Sequence, residues 1–216
     1  NNTSSNNTSY GFNIDSSNNN SLINNIGSNN TNAGFYLTSA NSNTLRNNFS
    51  SNNRTTTGYG FYILNSSNNY FTQNTADSNQ VYGYYLTGTS TSDTFEKNNW
   101  TGQPQGDGID SAVFNNCGAN TTFYFQHNYW STTDSSIIAK RIAGANKDKI
   151  NWQSFRTTAV DTTPAGDTIA PAIPTGIVVS SGSGSCNISW SDVTTNEEQG
   201  GYTFNLTGYK IYKAIS

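Results

Sequence analysis

The apolar positions of the chain recur at long and nearly constant intervals. Five glycines mark short apolar runs, and successive glycines are separated by 23, 26, 23 and 25 residues. The glycines and their runs are Gly11 in YGFNI, Gly34 in AGFYL, Gly60 in YGFYI, Gly83 in YGYYL and Gly108 in DGIDS. A fixed period of this length indicates a repeat architecture in which each repeat packs only against its neighbours.

A second apolar run follows about eleven residues after each of the first four glycines and ends in asparagine. It reads LINN, LRNN, FTQN and FEKN, and a fifth copy, FQHN, follows an insertion. Within the runs, β-branched and aromatic residues alternate with small or polar ones, and the Asn, Ser, Thr and Gly between them favour turns. We therefore predict an all-β chain, with a parallel β-helix of about five turns over residues 1–130 and two or three short strands per turn.

Stacked coils place equivalent positions above one another at the strand spacing of about 4.8 Å. The first position of the second run is predicted to form an inward apolar column of Leu22, Leu45, Phe71, Phe95 and Phe125. The fourth position is predicted to form a structural asparagine ladder of Asn25, Asn48, Asn74, Asn98 and Asn128. A second polar column is predicted two residues before the apolar one, at Asn20, Asn43, Asn69 and Asp93. Stacked amides bond along the axis of such a coil, so we interpret these asparagines as structural and not as ligands.

Two stretches of the sequence resemble a known family. The unit G-φ-x-φ … S-x-N-N-x-φ-x-x-N is similar to the repeat of right-handed, pectate-lyase-like parallel β-helices. The stretch HNYWSTTDSSIIAKRIAGANKDKINWQSF resembles the N-Y-W-G-T ending common after such repeats, with Ser131 where glycine is usual. The resemblance covers about residues 8–157 and implies a right-handed coil. Because the family includes polysaccharide lyases, epimerases, copper-maturation proteins and surface proteins, the resemblance implies no single activity.

Residues 131–157 change character and are predicted to cap the coil. Asp134 or Ser135 is suited to cap the start of a helix whose side chains Ile138 and Ile142 share one face. The following segment KINWQSF reads as a strand. A solenoid end exposes unpaired backbone and apolar core, so we interpret this helix and strand as a C-terminal cap or as the elbow to the next domain.

A Pro/Thr-rich segment over residues 158–174 is predicted to be an extended linker. Residues 175–216 then resemble the start of a fibronectin type III domain, an Ig-like β-sandwich that needs about seven strands and here has sequence for fewer. Either the chain is part of a longer one, or the missing strands come from a neighbouring subunit. In the second case, strand complementation would join copies head to tail into a filament.

Two cysteines occur, Cys117 in the last repeat and Cys186 in the predicted sandwich. In an oxidising compartment, a disulfide between them would lock the sandwich against the solenoid. Sequence alone does not bring the two Cα atoms within the roughly 6 Å that a disulfide needs. Two buried thiols are therefore the alternative.

Composition limits the partners of the chain. Charged residues make up 11% of it and the net charge is -3, so there is no basic stripe for nucleic acid. No apolar run is long enough to span a membrane. Low charge and many N-x-S/T sequons favour an extracellular or cell-surface location, where asparagines can carry glycans. The candidate glycosylation sites are Asn7, Asn19, Asn29, Asn48, Asn53, Asn65, Asn99, Asn120, Asn187 and Asn205.

The sequence shows no catalytic constellation, and we predict no catalytic residue, no cofactor and no metal site. Glycoside hydrolases need paired carboxylates within about 5–10 Å of each other. The acidic residues that come closest to a cluster are Asp93 and Glu96, beside Lys97, with Asp107 and Asp110 one repeat later. We interpret them as turn carboxylates on a solvated face. The single histidine, His127, neighbours the asparagine ladder and is interpreted as a structural donor.

Three hypotheses on function follow. The first is a non-catalytic surface protein that acts in adhesion, a surface layer or a filament, with copies of itself or other surface proteins as partners. The second is a carbohydrate-binding protein with Tyr59, Tyr82, Tyr84 and Tyr85 as a stacking platform, unless alternate residues of these runs fill the core. The third is a glycan lyase, epimerase or hydrolase. We favour the first because the repeats carry no catalytic chemistry.

Overall fold

The computed structural model describes residues 1–54, 57–102, 112–118, 121–160, 176–182 and 185–191, apart from the side chains of residues 181–182 and 185–187. The chain divides into two compact units, residues 1–166 and residues 167–216. The first unit is a solenoid of parallel strands, and the described part of the second holds an antiparallel pair of strands. The all-β parallel coil that the sequence predicted is therefore confirmed.

Three parallel sheets run along the solenoid, and successive coils contribute successive strands to each sheet. Sheet 1 consists of β1 (Thr3–Ser5), β4 (Ile26–Ser28), β7 (Phe49–Ser51), β10 (Thr75–Asp77) and β13 (Asn99–Thr101). Sheet 2 consists of β2 (Tyr10–Asp15), β5 (Ala33–Thr38), β8 (Tyr59–Leu64), β11 (Tyr82–Gly88), β14 (Val113–Cys117) and β16 (Ile142–Ala143). Sheet 3 consists of β3 (Ser21–Ile23), β6 (Thr44–Arg46), β9 (Tyr70–Thr72), β12 (Thr94–Glu96), β15 (Phe123–Gln126) and β17 (Ile150–Asn151).

The described strands make about six turns, whereas the sequence predicted five. The difference arises because β16 and β17 lie in the segment that was predicted as a separate cap. They pair in parallel with β14 and β15 and so continue sheets 2 and 3. The segment over residues 131–157 is thus built into the solenoid as a further coil.

Side chains alternate between the inside and the outside of the coil along each strand. In sheet 2, Phe35, Phe61 and Tyr84 point inward and are fully buried, with ring centroids 5.0 and 4.7 Å apart. In sheet 3, the strand register aligns in succession the predicted column of Leu22, Leu45, Phe71, Phe95 and Phe125. All members of that column are fully buried except the first, which is half-buried. The predicted apolar column is therefore confirmed.

At the recurring glycines Gly11, Gly34, Gly60 and Gly83, an added Cβ would lie within about 3 Å of neighbouring atoms, and at Gly34 these neighbours belong to sheet 1. Gly108 lies outside the described residues. A Cβ atom on Gly34 would lie 2.7 Å from the carbonyl oxygen of Gly27 in the adjacent sheet. A Cβ on Gly11 would meet the carbonyl oxygen of Gly34 at the same distance. Glycine recurs here because only a residue without a side chain permits this close approach.

A residue in the left-handed backbone conformation comes directly before many of the polar residues at the coil corners. Asn24 and Asn47, with φ of 57° and 55°, come directly before the ladder residues Asn25 and Asn48. The same conformation occurs at Asn6, Asn19, Asn29, Ser42, Asn52, Asn68, Gln73, Ser78, Ser92, Lys97 and His127. Asparagine tolerates this conformation better than most residues, which is a second reason for its abundance.

The helix α1 (Ser135–Lys140) begins after Asp134, whose side chain accepts a hydrogen bond from the backbone N–H of Ser136 at 2.8 Å. Ile138 is buried, as the sequence predicted. The helix ends before Ile142, which lies in β16 and therefore does not share the helix face predicted for it. A 3-10 turn, Lys147–Lys149, then leads into β17.

In the second unit, β18 (Val178–Gly182) and β19 (Ser185–Ser189) form an antiparallel pair. The third predicted strand lies in residues 192–216, outside the described residues. The structure therefore supports an antiparallel sheet in this unit, and the β-sandwich itself stays a prediction. The predicted linker is described only over its first residues, 158–160.

Candidate functional site

A line of asparagine side chains occupies the corner between sheets 3 and 1. The amide nitrogen of Asn25 donates to the side-chain oxygen of Asn48, and that of Asn48 to the oxygen of Asn74, both at 3.0 Å. The same oxygens accept the backbone N–H groups of Asn25 and Asn48. The bonds continue through Asn98 to Asn128, so the predicted ladder is confirmed. Asn2, which the sequence pattern did not predict, adds a rung at the first coil.

In the rungs Asn48, Asn74 and Asn98, the second amide hydrogen goes to a backbone carbonyl. Asn48 Nδ2 donates to the carbonyl oxygen of Leu22, and Asn74 Nδ2 to that of Leu45, both at 2.8 Å. Each side chain thus uses both amide hydrogens and its oxygen within the protein. Because no polar atom of these rungs is left for a ligand, the ladder holds coils together and is not a binding site.

The other two corners of the solenoid carry ladders of the same kind. The corner between sheets 2 and 3 holds the predicted second column, Asn20, Asn43, Asn69 and Asp93. The corner between sheets 1 and 2 holds Asn7, Asn30, Asn53 and Asn79, a ladder that the sequence analysis missed. All three corners are therefore fastened by side chains as well as by the backbone.

Asp93 is the one carboxylate among the rungs of the described ladders. Its Oδ1 accepts the backbone N–H of Asn69 at 2.7 Å and the Asn69 amide at 3.0 Å. Its Oδ2 is buried and forms no hydrogen bond with any described residue. Burial raises the pKa of Asp93 to about 7, and the two bonds from Asn69 only partly oppose this rise.

Cys117 lies at the end of β14 and is buried, and it forms no disulfide with a described residue. Burial, and then the nearby carboxylate of Asp93, raise the pKa of this thiol to about 12. The thiol is therefore neutral and is not an activated nucleophile. The side chain of Cys186 lies outside the described residues, so its pairing with Cys117 stays a prediction.

The outer surface of sheet 2 carries a ladder of tyrosines. We define the tyrosine ladder as Tyr10, Tyr36, Tyr59, Tyr62, Tyr82 and Tyr85, all half-buried, with Phe114 at its end. Ring centroids lie 4.2 Å apart for Tyr10 and Tyr36, and 4.6 Å apart for Tyr59 and Tyr85, with nearly parallel planes. Burial, and then the neighbouring phenols, raise the pKa of Tyr59 to about 12.

The four tyrosines that were predicted as a sugar platform do not all lie on the same side of sheet 2. Tyr59, Tyr82 and Tyr85 lie on the outer surface, whereas Tyr84 is fully buried in the core. Their rings stack on one another, with interplanar angles of 6 to 7°. A sugar ring stacks on a free aromatic face, and here those faces cover each other.

Sheet 3 carries a smaller outer patch in which two tyrosines stand apart. Tyr70 is 37% exposed and Tyr124 is 50% exposed, and both are aligned with Thr94 between them. The Tyr70 hydroxyl donates to Glu96 Oε1 at 2.8 Å, and burial together with this bond raises the pKa of Tyr70 to about 12. Within the described residues, neither ring stacks on another aromatic ring.

The acidic residues that come closest in sequence do not converge on one site. Asp93 points into a ladder, while Glu96 lies on the outer surface of sheet 3. Asp107 and Asp110 fall outside the described residues. His127 lies at a corner, where burial lowers its pKa. Among the described residues, no group of three or more His, Cys, Asp or Glu side chains could hold a metal ion.

Burial separates the candidate glycosylation sites into two groups. Asn48, Asn53 and Asn99 are buried, and their amides donate to other protein atoms. A glycan would have to replace one of those amide hydrogens inside the coil, so the prediction for these three sites is corrected. Asn19, Asn29 and Asn65 are exposed, and Asn7 is half-buried. Asn120, Asn205 and the side chain of Asn187 lie outside the described residues.

We predict that a secretory host that glycosylates proteins attaches glycans at Asn19, Asn29 and Asn65. These three residues adopt φ of 58°, 56° and 49° at coil corners, where the side chain points to solvent. Mass spectrometry of glycopeptides from the folded, secreted chain measures the occupancy of each site. The buried Asn48 serves as the internal control, and a glycan found there in folded protein would contradict the assignment of the ladder.

The fold defines the class of the first unit as a parallel β-solenoid with asparagine-lined corners. Residues 1–100 match the family model described as right handed beta helix region. No curated protein and no solved structure matches the chain. Within the described residues, no helix has the length and apolar character needed to cross a membrane.

Proposed function

We propose that the chain is a non-catalytic structural and interaction module of an extracellular or cell-surface assembly. The observation that carries this proposal is that the buried polar side chains of the corners form hydrogen bonds within the solenoid. In the described corners, the rungs bond to other rungs and to backbone carbonyls, as Asn74 does with Leu45 and Asn98. Such an interior gives a stiff rod and supplies no group to a reaction.

The chemistry of the surface supports the same proposal. Glu96 is bound by Tyr70, and Asp77 accepts a hydrogen bond from Thr101 at 2.7 Å. Glycosidic hydrolysis requires a pair of carboxylates, whereas each of these two described carboxylates is held by a neighbouring hydroxyl. The exposed sequons at Asn19, Asn29 and Asn65 are compatible with a secreted protein.

The proposal extends to the second unit. We propose that residues 175–216 form part of a fibronectin type III-like sandwich, of which β18 and β19 are two neighbouring strands. The side chains of Val178 and Val179 are 59% and 62% exposed, so the pair leaves apolar surface uncovered. Strands from a second copy could cover such a surface and would join copies into a filament.

Electron microscopy of the material as its source releases it tests this proposal. Regular filaments or sheets, with a repeat that fits one solenoid and one sandwich, would support a structural polymer. Deletion of residues 175–216 should then abolish the filaments and leave the solenoid as dispersed particles. Dispersed particles from the native material would contradict polymerisation.

Carbohydrate binding is a second candidate, favoured by the free rings of Tyr70 and Tyr124 on sheet 3. Two coil steps separate them, roughly 10 Å at the strand spacing, which suits alternate sugars of an extended, neutral polysaccharide. Affinity electrophoresis against neutral polysaccharides distinguishes the two candidates. Retardation that is lost in Tyr124→Ala would support carbohydrate binding, and unchanged mobility in all polysaccharides would contradict it.

A further inference from the structure

The tyrosine ladder brings phenol rings of successive coils into contact. Tyr10 of the first coil lies against Tyr36 of the second, at a centroid distance of 4.2 Å and an interplanar angle of 19°. Tyr36 lies 4.8 Å from Tyr62 of the third coil, and Tyr62 lies 5.1 Å from Tyr85 of the fourth. The series therefore joins four consecutive coils through side chains that reach solvent.

Other side chains that are readily oxidised are scarce or protected. The chain contains no methionine. Cys117, Trp100 and Trp130 are buried, each with at most 1% of its surface exposed. The half-buried Trp152 and Trp190 do not lie in sheet 2. The fully buried Tyr84 lies on the opposite side of the same sheet. A one-electron oxidant that reaches sheet 2 from solvent therefore meets the phenols of the tyrosine ladder first.

We propose that the tyrosine ladder is an oxidative modification site at which dityrosine bonds form between successive coils. The co-reactant is hydrogen peroxide used by a haem peroxidase, or an equivalent one-electron oxidant. The pairs with the shortest separations between coils are Tyr10 with Tyr36 and Tyr59 with Tyr85. This inference is independent of whether the chain polymerises.

Dityrosine formation is a two-electron oxidation of a pair of phenols. Each of two phenols loses one electron and its hydroxyl proton, which gives two tyrosyl radicals. The carbons ortho to the two oxygens form one C–C bond, and the hydrogen on each of these carbons then moves to the oxygen of its own ring. The pair has lost two electrons and two protons, which reduce one hydrogen peroxide to two waters. The cross-linked chain is lighter by two hydrogen atoms.

Contact within the ladder favours this coupling over coupling between molecules. Radical coupling needs two rings at one place, and neighbours held in contact have a very high effective concentration. Tyr124 provides a natural comparison, because it is half exposed and stacks on no described aromatic ring. Its radical therefore has no phenol already in contact with it among the described residues. The yield of ladder dityrosine should therefore be independent of protein concentration.

The test is treatment of the dilute full chain with a haem peroxidase and hydrogen peroxide, followed by isolation of the monomer. We expect dityrosine fluorescence in the monomer and peptides joined through Tyr10 and Tyr36. Tyr36→Phe keeps a stacked ring but removes the phenol that links the first coil to the third. It should lower the monomer yield about twofold, since Tyr59 and Tyr85 still couple. Tyr124→Phe is the matched control and should leave the monomer yield unchanged.

Two results would overturn the proposal. One is dityrosine found only in dimers, with a yield that rises with protein concentration and falls in Tyr124→Phe. The other is a monomer that carries oxidised tryptophan or hydroxylated tyrosine and no joined peptides. A double variant, Tyr36→Phe with Tyr85→Phe, removes both short pairs and should abolish most of the monomer signal. An unchanged signal in that variant would also contradict the assignment. Circular dichroism of each variant shows that the coil remains folded.

Discussion

Asn74→Ala is expected to lower the free energy of unfolding of the solenoid by about 4 kcal/mol, because it orphans several buried polar groups at once. The Asn74 oxygen accepts the backbone N–H and the amide of Asn48, at 2.9 and 3.0 Å. Its amide donates to Leu45 O and to Asn98 Oδ1. Alanine replaces none of these bonds, and the site is fully buried from water.

The size of the effect follows from what remains in the coil. The N–H of Asn48 and the carbonyl of Leu45 lose their partners, and Asn98 loses one of its donors. Each buried group left without a partner costs about 1–3 kcal/mol. A loss of this size is a large part of the roughly 5–15 kcal/mol that stabilises a typical domain.

Chemical denaturation followed by circular dichroism measures this loss. The matched control is Gln80→Ala, which removes a longer, exposed amide side chain from the next corner of the same coil, between sheets 1 and 2. Surface substitutions of this kind change stability by about 0.5 kcal/mol or less. If Asn74→Ala cost no more than Gln80→Ala, the ladder would not be a source of stability.

The sequence was sufficient to predict the coil, two of the three corner ladders and the apolar column. The reason is that Leu22, Leu45 and Phe71 each stand three residues before a ladder asparagine, so two independent columns gave the same register. The number of turns was underestimated. The strands Ile142–Ala143 and Ile150–Asn151 are too short to show a period, and they pair only because the preceding coil offers an edge.

The ladder between sheets 1 and 2 was missed although the sequence contains a signal for it. Asn7, Asn30 and Asn79 each stand four residues before a recurring glycine. At Asn53 the interval grows to seven residues, which broke the pattern. Which corner asparagines are buried could not be predicted from the sequence, for a related reason. Neighbouring asparagines such as Asn29 and Asn30 differ in exposure through backbone conformation, and composition does not encode that difference.

The tyrosine ladder shows another limit of sequence-based prediction. Alternation along a strand predicts that Tyr84 and Tyr85 face opposite sides, and the structure confirms it. Which of the two faces the core depends on the register of the whole sheet. Whether outward rings present faces or edges to solvent depends on their neighbours, and Tyr59 stacks on Tyr85 of the next coil. The sequence could therefore not show that these tyrosines stack on one another instead of presenting free faces to a sugar.

Asp93 replaces an amide with a carboxyl group at the end of its ladder, and this should make the stability of the solenoid depend on pH. In the same column, the amides of Asn43 and Asn69 donate to the carbonyl oxygens of Ser17 and Ala40, both at 3.0 Å. A protonated Asp93 can donate one hydrogen in the equivalent direction, whereas a carboxylate cannot. The ionised form is thus buried with a charged oxygen, Oδ2, that receives no hydrogen bond from a described residue.

The sign of the pH effect follows from the two pKa values. Asp93 has a pKa of about 7 in the folded chain, against about 3.9 in the unfolded chain. Below the lower value both states are protonated, and the stability contributed by the neutral acid is fully present. Between the two values only the folded chain keeps the proton, so stability falls as the pH rises. Above about pH 7 the loss is complete, and a shift of about three units corresponds to about 4 kcal/mol.

Asp93→Asn should remove this dependence, because an amide does not titrate in this range. We expect the stability of the variant relative to the native chain to rise by about 4 kcal/mol from about pH 4 to about pH 8. Denaturation of both proteins at matched pH values measures the difference, in which the titration of all other groups cancels. Asp15→Asn, at an exposed strand end, controls for the change in net charge. A difference that stays constant with pH would show that Asp93 is already ionised in the folded chain, and a difference that falls with rising pH would mean that the carboxylate is the form that the ladder stabilises.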